Sequence, residues 1–497
     1  MRLSTAGIVR VTLTTLAGLG LVLGAMHTQG ALALDARSGG VSATQGSTTT
    51  VRGASLVCPG PELRGVPGVA DLPVDTRLAA AAAPLRALTG TTPVSEPGRL
   101  SLAGMPGRAL ATPVTERATV ATVDLAAPTG ALVTGTQALA PGLAAVQSWL
   151  VPSGDQRALA SSPCTKAGAE FWIMAGGAAP GRQERLLLTN PGGNAVSVDV
   201  TLHGPDGPVA SPIGKGIVVP AHGRTAFLLD SISGTLSAPA VHVVAQGGVV
   251  GAVVNDLWLD GTRAAGSDDA VPTAAPSRDQ VIPGVLVAGA ATLRVAVPGD
   301  SQAVVQARVL TPNGPRALPR GGVTRIDGGT VQDIDLSGLS RDYSALQVRA
   351  DVPIVAAAVV SRSGKPGAPS DFAWTSSTPP ITGVAGMPLV QPPGATAPVG
   401  HVLMLTASGD SAGVEVVTVD SAGVESSQRM TLQPDATTAV PATGASSVWV
   451  HRLSGRGQLR AAVFSWISAD QGLLVSATPL LDTALRTTTV GLRETRD

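Results

Sequence analysis

Residues Leu186–Pro208 read LLLTNPGGNAVSVDVTLHGPDGP. Val196, Val198, Val200 and Leu202 alternate with Ser197, Asp199 and Thr201. That period of two belongs to a strand with one face buried. Leu186–Leu188 forms a short apolar run ahead of it, and Pro191-Gly192-Gly193-Asn194 between them is turn chemistry. The stretch therefore reads strand, turn, strand, turn.

It recurs. LRVAVPGDSQAVVQARVLTPNGP from Leu293 superposes Pro298 on Pro191, Gly299 on Gly192, Val305 on Val198 and Gly314 on Gly207. HVLMLTASGDSAGVEVVTVDSAG from His401 is a third copy with a one-residue slip. The later parts match as well: APAVHVVAQGGVVGAVVNDLW from Ala238, YSALQVRADVPIVAAAVVSRS from Tyr343 and SSVWVHRLSGRGQLRAAVFSWI from Ser446 each read as two strands around a turn. About seven short strands per roughly 100 residues is the pattern of an immunoglobulin-like β-sandwich, and it fits a four-stranded propeller blade less well. A diverged copy comes first, with ASLVCPGP from Ala54 as its leading strand and the segment from Thr119 as its later half. The expected fold is all-β, about four tandem sandwich repeats over residues 54–168, 169–278, 279–380 and 381–483. Within the first, Arg77–Thr112 aligns poorly, and RLAAAAAPLRAL, Arg77–Leu88, reads as a short helix.

The ends have a different character. Arg2 and Arg10 make a positive n-region ahead of an apolar run from Val11 to Met26, and Ala31-Leu32-Ala33 offers a small-x-small cleavage site. Residues 1–33 read as a cleaved signal peptide, with an uncleaved N-terminal anchor as the alternative. Either places the protein outside the cytoplasm, and the membrane is met only through this segment if it is retained. Residues 34–53 are Gly/Ser/Thr-rich and read as a flexible linker, and residues 484–497 as a tail.

Of the 497 residues, only 2% are aromatic and 14% charged, with 60 glycines, 39 prolines and a formal net charge of zero. The mean hydropathy of +0.29 argues against a disordered chain. Small apolar residues must fill the cores, so each repeat should be only modestly stable alone. A zero net charge with lysine only at 166, 215 and 365 excludes the basic footprint of a nucleic-acid binder. Cys58 and Cys164 are the only cysteines, and an exported chain favours bridging them, first strand to last. Two unpaired buried thiols are the alternative.

CPGPEL around Cys58, SSPC…EFW from Ser161 to Trp172 and LLLTNPGG…DVTLHGPDG together resemble an uncharacterised secreted-protein family of high-GC Gram-positive bacteria. The resemblance implies export and a β fold, and brings no activity and no functional residues.

Chemistry is sparse. Gly409-Asp410-Ser411-Ala412-Gly413 matches G-x-S-x-G, yet VEVVTV follows where a hydrolase needs a helix. Ser411 therefore reads as a hairpin-turn residue, with a serine hydrolase as the remote alternative. His203, His222, His242, His401 and His451 lack metal-ligand spacing, and His27 lies in the export segment. Asp256, Asp260, Asp268 and Asp269 form the densest acidic group and read as a solvated loop, with calcium worth testing. Of the six tryptophans, Trp258 and Trp374 border loops and are the candidates for ligand contact. No catalytic residue, cofactor or metal site is expected. The reading is a non-enzymatic, secreted or surface-displayed envelope protein acting as a β-sandwich scaffold or interaction module. Its partner would be an envelope protein or a cell-wall polymer, and recognition of wall glycan is the alternative.

Overall fold

The computed structural model describes residues 47–62, 74–127, 129–209, 211–363 and 368–489. The signal or anchor segment, most of the linker and the end of the tail lie outside the described residues. The described ends of linker and tail pair with each other, as strands Ser47–Thr50 and Arg486–Thr489.

Strands make up the regular structure, apart from three short 3₁₀ turns among the described residues. The fourth repeat shows the plan. Its strands are Val384–Pro388, Gly400–Ser408, Ala412–Val419, Glu425–Leu432, Ala436–Pro441, Ser447–Gly455, Gln458–Ala469 and Gly472–Leu480. The first, sixth, third and fourth form one antiparallel sheet in that order; the fifth, second, seventh and eighth form the other. The same order of pairing recurs in the three earlier segments. In the third, the sixth and seventh strands run together as the single long strand Ser344–Ser363, which joins both sheets. The tandem sandwich expectation holds; the shared plan has one strand more than the seven read from the sequence, and the second and third segments each add a further short one, Ile217–Val219 and Val323–Ile326.

Two local expectations change. The turn containing Ser411 is not a hairpin: Gly400–Ser408 and Ala412–Val419 belong to opposite sheets, so the turn carries the chain across the sandwich. The alanine run is not a helix either. Thr76–Ala82 is a strand between Ala121–Leu125 and Leu143–Val151, and only Leu85–Leu88, after Pro84, makes one 3₁₀ turn. Alanine favours helix in isolation, but Ala79–Ala83 are at most 1% exposed. A strand paired on both edges over Thr76–Ala80 and covered on both faces buries this surface with its ladder hydrogen bonds made.

That two-sided burial explains the composition. Thr49–Thr487 form one compact unit in which each repeat's first sheet stacks on the next repeat's second sheet. Core side chains cross these boundaries: Ile173 and Val243 of the second repeat share a cluster with Val355 and Phe372 of the third. Leu293 and Val348 of the third share one with Met404 and Phe464 of the fourth. Leu403 and Val463 of the fourth share one with Ala79 and Val146 of the first. The succession therefore closes on itself, and strands such as Leu143–Val151 and Gly400–Ser408 are buried at every position. Ala and Val keep stacked sheets close where aromatic side chains would force them apart.

Candidate functional site

The four closing strands, Ala158–Pro163, Arg263–Ala270, Ser370–Ser376 and Gly472–Leu480, meet where the repeats converge. Polar side chains concentrate there. Successive side chains of a strand point to opposite faces, so Asp268 and Asp269 serve different neighbours. Asp269 accepts hydrogen bonds from Gln147 Nε2 (3.1 Å) and Ser162 Oγ (3.1 Å) of the first repeat, and from Asn255 Nδ2 (3.0 Å). Asp268 accepts the backbone N–H of Trp374 in the third repeat at 2.7 Å. Asp371 Oδ2 accepts the N–H groups of Leu159 (3.2 Å) and Val475 (2.9 Å), joining the first, third and fourth repeats through one oxygen. Gly266 makes room for it: a Cβ there would lie 2.5 Å from Asp371 Oδ1 and 2.8 Å from its Cα. Arg157, with no exposed surface, donates to the carbonyls of Ser370 and Gly472, both at 3.3 Å. Ser161 and Ser476 exchange bonds across the first–fourth boundary, and Thr478 Oγ1 donates to Ser161 O at 2.9 Å.

Burial drives the protonation of these groups. Desolvation raises the carboxyls of Asp268 and Asp371 well above the usual range, and that of Asp269 above it, against the hydrogen bonds that favour their charged forms. Desolvation also lowers Arg157, with the Asp371 charge acting in the opposite direction.

The boundary between the second and third repeats is layered. Arg182 holds Asp256 through Nε (2.8 Å) and Nη2 (2.5 Å), and Trp374 Nε1 donates to the same carboxylate at 2.8 Å. The Arg182 guanidinium lies 5.3 Å from the Trp258 ring and 5.5 Å from that of Phe372. Glu184, opposite Asp256 in register, is pushed up to about 8 by burial and by the Asp256 charge. Arg294 grips Asp333 at 2.8 and 2.9 Å and donates to the carbonyls of Ala175, Gly176 and Pro239 in the second repeat.

Two readings of the sequence are corrected by these positions. The acidic group is not a solvated loop: Asp256, Asp268 and Asp269 lie in paired strands and are at most 4% exposed, and only Asp260, paired with Arg263, sits at the turn. Asp256 falls on the strand Gly251–Asp260, and its partner Arg263–Ala270 went unread because Asp268 and Asp269 in a paired, dry ladder contradict the ordinary hydrophobic signal. Trp374 is 3% exposed and offers no ring face to a ligand. Trp258 is partly buried, donates to Pro180 O at 3.3 Å, and remains the more accessible of the two. No group of three His, Cys, Asp or Glu able to hold a metal occurs among the described residues. The bridge between Cys58 and Cys164 is present, replacing the unpaired-thiol alternative.

Ser411 sits on its turn with its N–H on Asp410 Oδ1 at 2.7 Å. The histidines are dispersed, with one exception: Trp172 stacks on His242 at 4.3 Å and meets His203 at 4.9 Å. His203 Nδ1 contacts Gly329 O at 2.9 Å, so this group also joins the second repeat to the third.

A scan of protein families matches residues 114–443 to the Family of unknown function (DUF5719), about two thirds of the chain. The chain belongs to this family. The matched span of this DUF5719 protein includes Arg157, Asp268, Asp269 and Asp371, while the last closing strand, Gly472–Leu480, lies beyond it. No curated protein matches it. Among solved structures, a glycoside hydrolase family 32 protein from Bifidobacterium adolescentis aligns over 88% of this chain and 98% of its own, at 11% identity and a TM-score of 0.13. That score is too low to transfer fold or function.

His401 gives the DUF5719 protein a measurable acid response. It is buried beside a cavity of about 10 Å³ at the first–fourth boundary, its Nδ1 2.9 Å from Ser465 Oγ. Burial pushes its pKa from 6.5 down to about 4. Between those values the unfolded chain binds this proton and the folded chain does not, so stability falls as pH falls. Raised carboxyls act oppositely, since the folded state then holds the extra proton. The expected result is that His401→Gln flattens the fall in melting temperature between pH 6.5 and 4 relative to wild type. An unchanged slope would remove His401 as its source.

Proposed function

We propose that this DUF5719 protein is an exported, non-enzymatic component of the cell envelope that acts as a rigid interaction scaffold. The observation that carries the reading is the use made of its reactive side chains. Asp268, Asp269, Asp371, Asp256 and Arg157 are buried and bonded to neighbouring strands, most of them across repeat boundaries. Groups so engaged hold a shape and have no access to a substrate. The closed succession of repeats suits a compact platform better than an extended spacer, and the disulfide supports an oxidising compartment.

Labelling with a fluorophosphonate probe tests the non-enzymatic part. The folded protein is expected to stay unlabelled, and modification at Ser411 would overturn the reading. Export is tested by fractionating cells that express the full chain: protein retained in the cytoplasm with both cysteines reduced would count against it. Retention on purified wall polymer, lost in Trp258→Ala, would instead favour glycan recognition.

A further inference from the structure

The fourth strand of each repeat lies at the outer edge of its sheet, and its length differs sharply: Arg108–Ala109, Gly207–Pro208, Gly314–Ala317, and then Glu425–Leu432. In the second and third repeats, Ile217–Val219 and Val323–Ile326 add further pairing to the same sheets. The fourth repeat instead ends in eight residues, ESSQRMTL, paired on one side only with Ala412–Val419. Glu425–Arg429 are exposed. A long edge without Pro, Lys or a bulge is a template for another strand. Here the exposed surface is polar, so the template favours a selective partner over indiscriminate aggregation.

We propose that this edge pairs antiparallel with the same edge of a second copy, about a two-fold axis at Ser427. Antiparallel pairing about a two-fold axis normal to the sheet places residues on a common face opposite each other. Centred on Ser427, it sets Glu425 against Arg429 of the second copy twice, Ser426 against Gln428, and Val424 against Met430. Charge meets charge, polar meets polar and apolar meets apolar. Centring on Arg429 would oppose like charges, and centring on Gln428 would set Met430 against Ser426. Val424 and Glu425–Arg429 are exposed for this, while Met430 is half-buried against the core of its own repeat. Glu425 has no ion-pair partner among the described residues, and Arg429 is 68% exposed while holding Glu415 at 3.3 Å. Val424 is 59% exposed and, with Ser426, lines a surface cavity of about 190 Å³ that Met430 of the second copy would face.

Engineered cysteines in the full-length protein test the register. Directly opposed antiparallel residues have Cα atoms about 4.5–5.5 Å apart, within disulfide reach. Ser427→Cys should form a covalent dimer under mild oxidation. Thr431→Cys, whose two copies would lie roughly 27 Å apart along the strands, should not. Adding Glu425→Arg to Ser427→Cys should reduce the covalent dimer about tenfold through repulsion from Arg429, without moving the melting temperature. A Ser427→Cys protein that stays monomeric, or a Thr431→Cys protein that crosslinks equally well, would overturn the proposal.

Discussion

Asp371→Ala is expected to lower the unfolding free energy by about 3–5 kcal/mol, read as a shift of the urea midpoint. The change strips the N–H groups of Leu159 and Val475 of their acceptor in a site with no exposed surface, and removes a carboxyl whose charge favours the protonated Arg157. It also opens a void at the point where three repeats touch. Asp371→Asn should cost only about 1 kcal/mol. It keeps an oxygen acceptor and removes a charge that burial already disfavours. The contrast carries the test, because Ala and Asn lose the charge equally and differ in the acceptor. If both variants unfold at the same midpoint, the acceptor role assigned to Asp371 is wrong.

The repeat was legible because its signals are local. Val196–Leu202 alternate within one strand, and Gly207 and Gly314 mark equivalent turns; neither feature needs a distant partner to be read. The closure of the repeats was illegible because its contacts join positions far apart in sequence, such as Ser161 and Ser476. Polarity misled where it was buried: Asp268 and Asp269 look like loop residues until neighbours on both faces of their strand satisfy them. Alanine misled in the opposite sense. Intrinsic propensity made Ala79–Ala83 helical, while the stacking of sheets on both sides selected a strand. The same geometry withdrew Trp374 from the ligand-contact candidates, since a side chain near a strand end in one repeat becomes core when the preceding repeat covers it.

The double variant Cys58→Ala/Cys164→Ala should lose about 3–5 kcal/mol, close to the 4.7 kcal/mol that chain entropy sets for a loop of about 100 residues. The bridge spans 106 positions and ties the leading strand Gly53–Cys58 to the end of the closing strand Ala158–Pro163. Val57 and Thr165 exchange backbone bonds of 2.7 and 3.0 Å beside it, so the native geometry persists without the sulfurs and the loss falls mainly on the unfolded chain. The closing strand is the one that Asp269, Asp371 and Ser476 all contact. Loosening the first repeat therefore weakens its boundaries with three others, and the transition should broaden as well as shift. Cys58 and Cys164 are 0% and 3% exposed, so a reductant should leave the folded protein bridged and act only once it opens. Thermal melts of wild type and the double variant, each with and without reductant, separate these effects. Wild type should match the variant only on reheating after a first melt in reductant, and an equal melting temperature for the two oxidised proteins would show that the bridge contributes nothing.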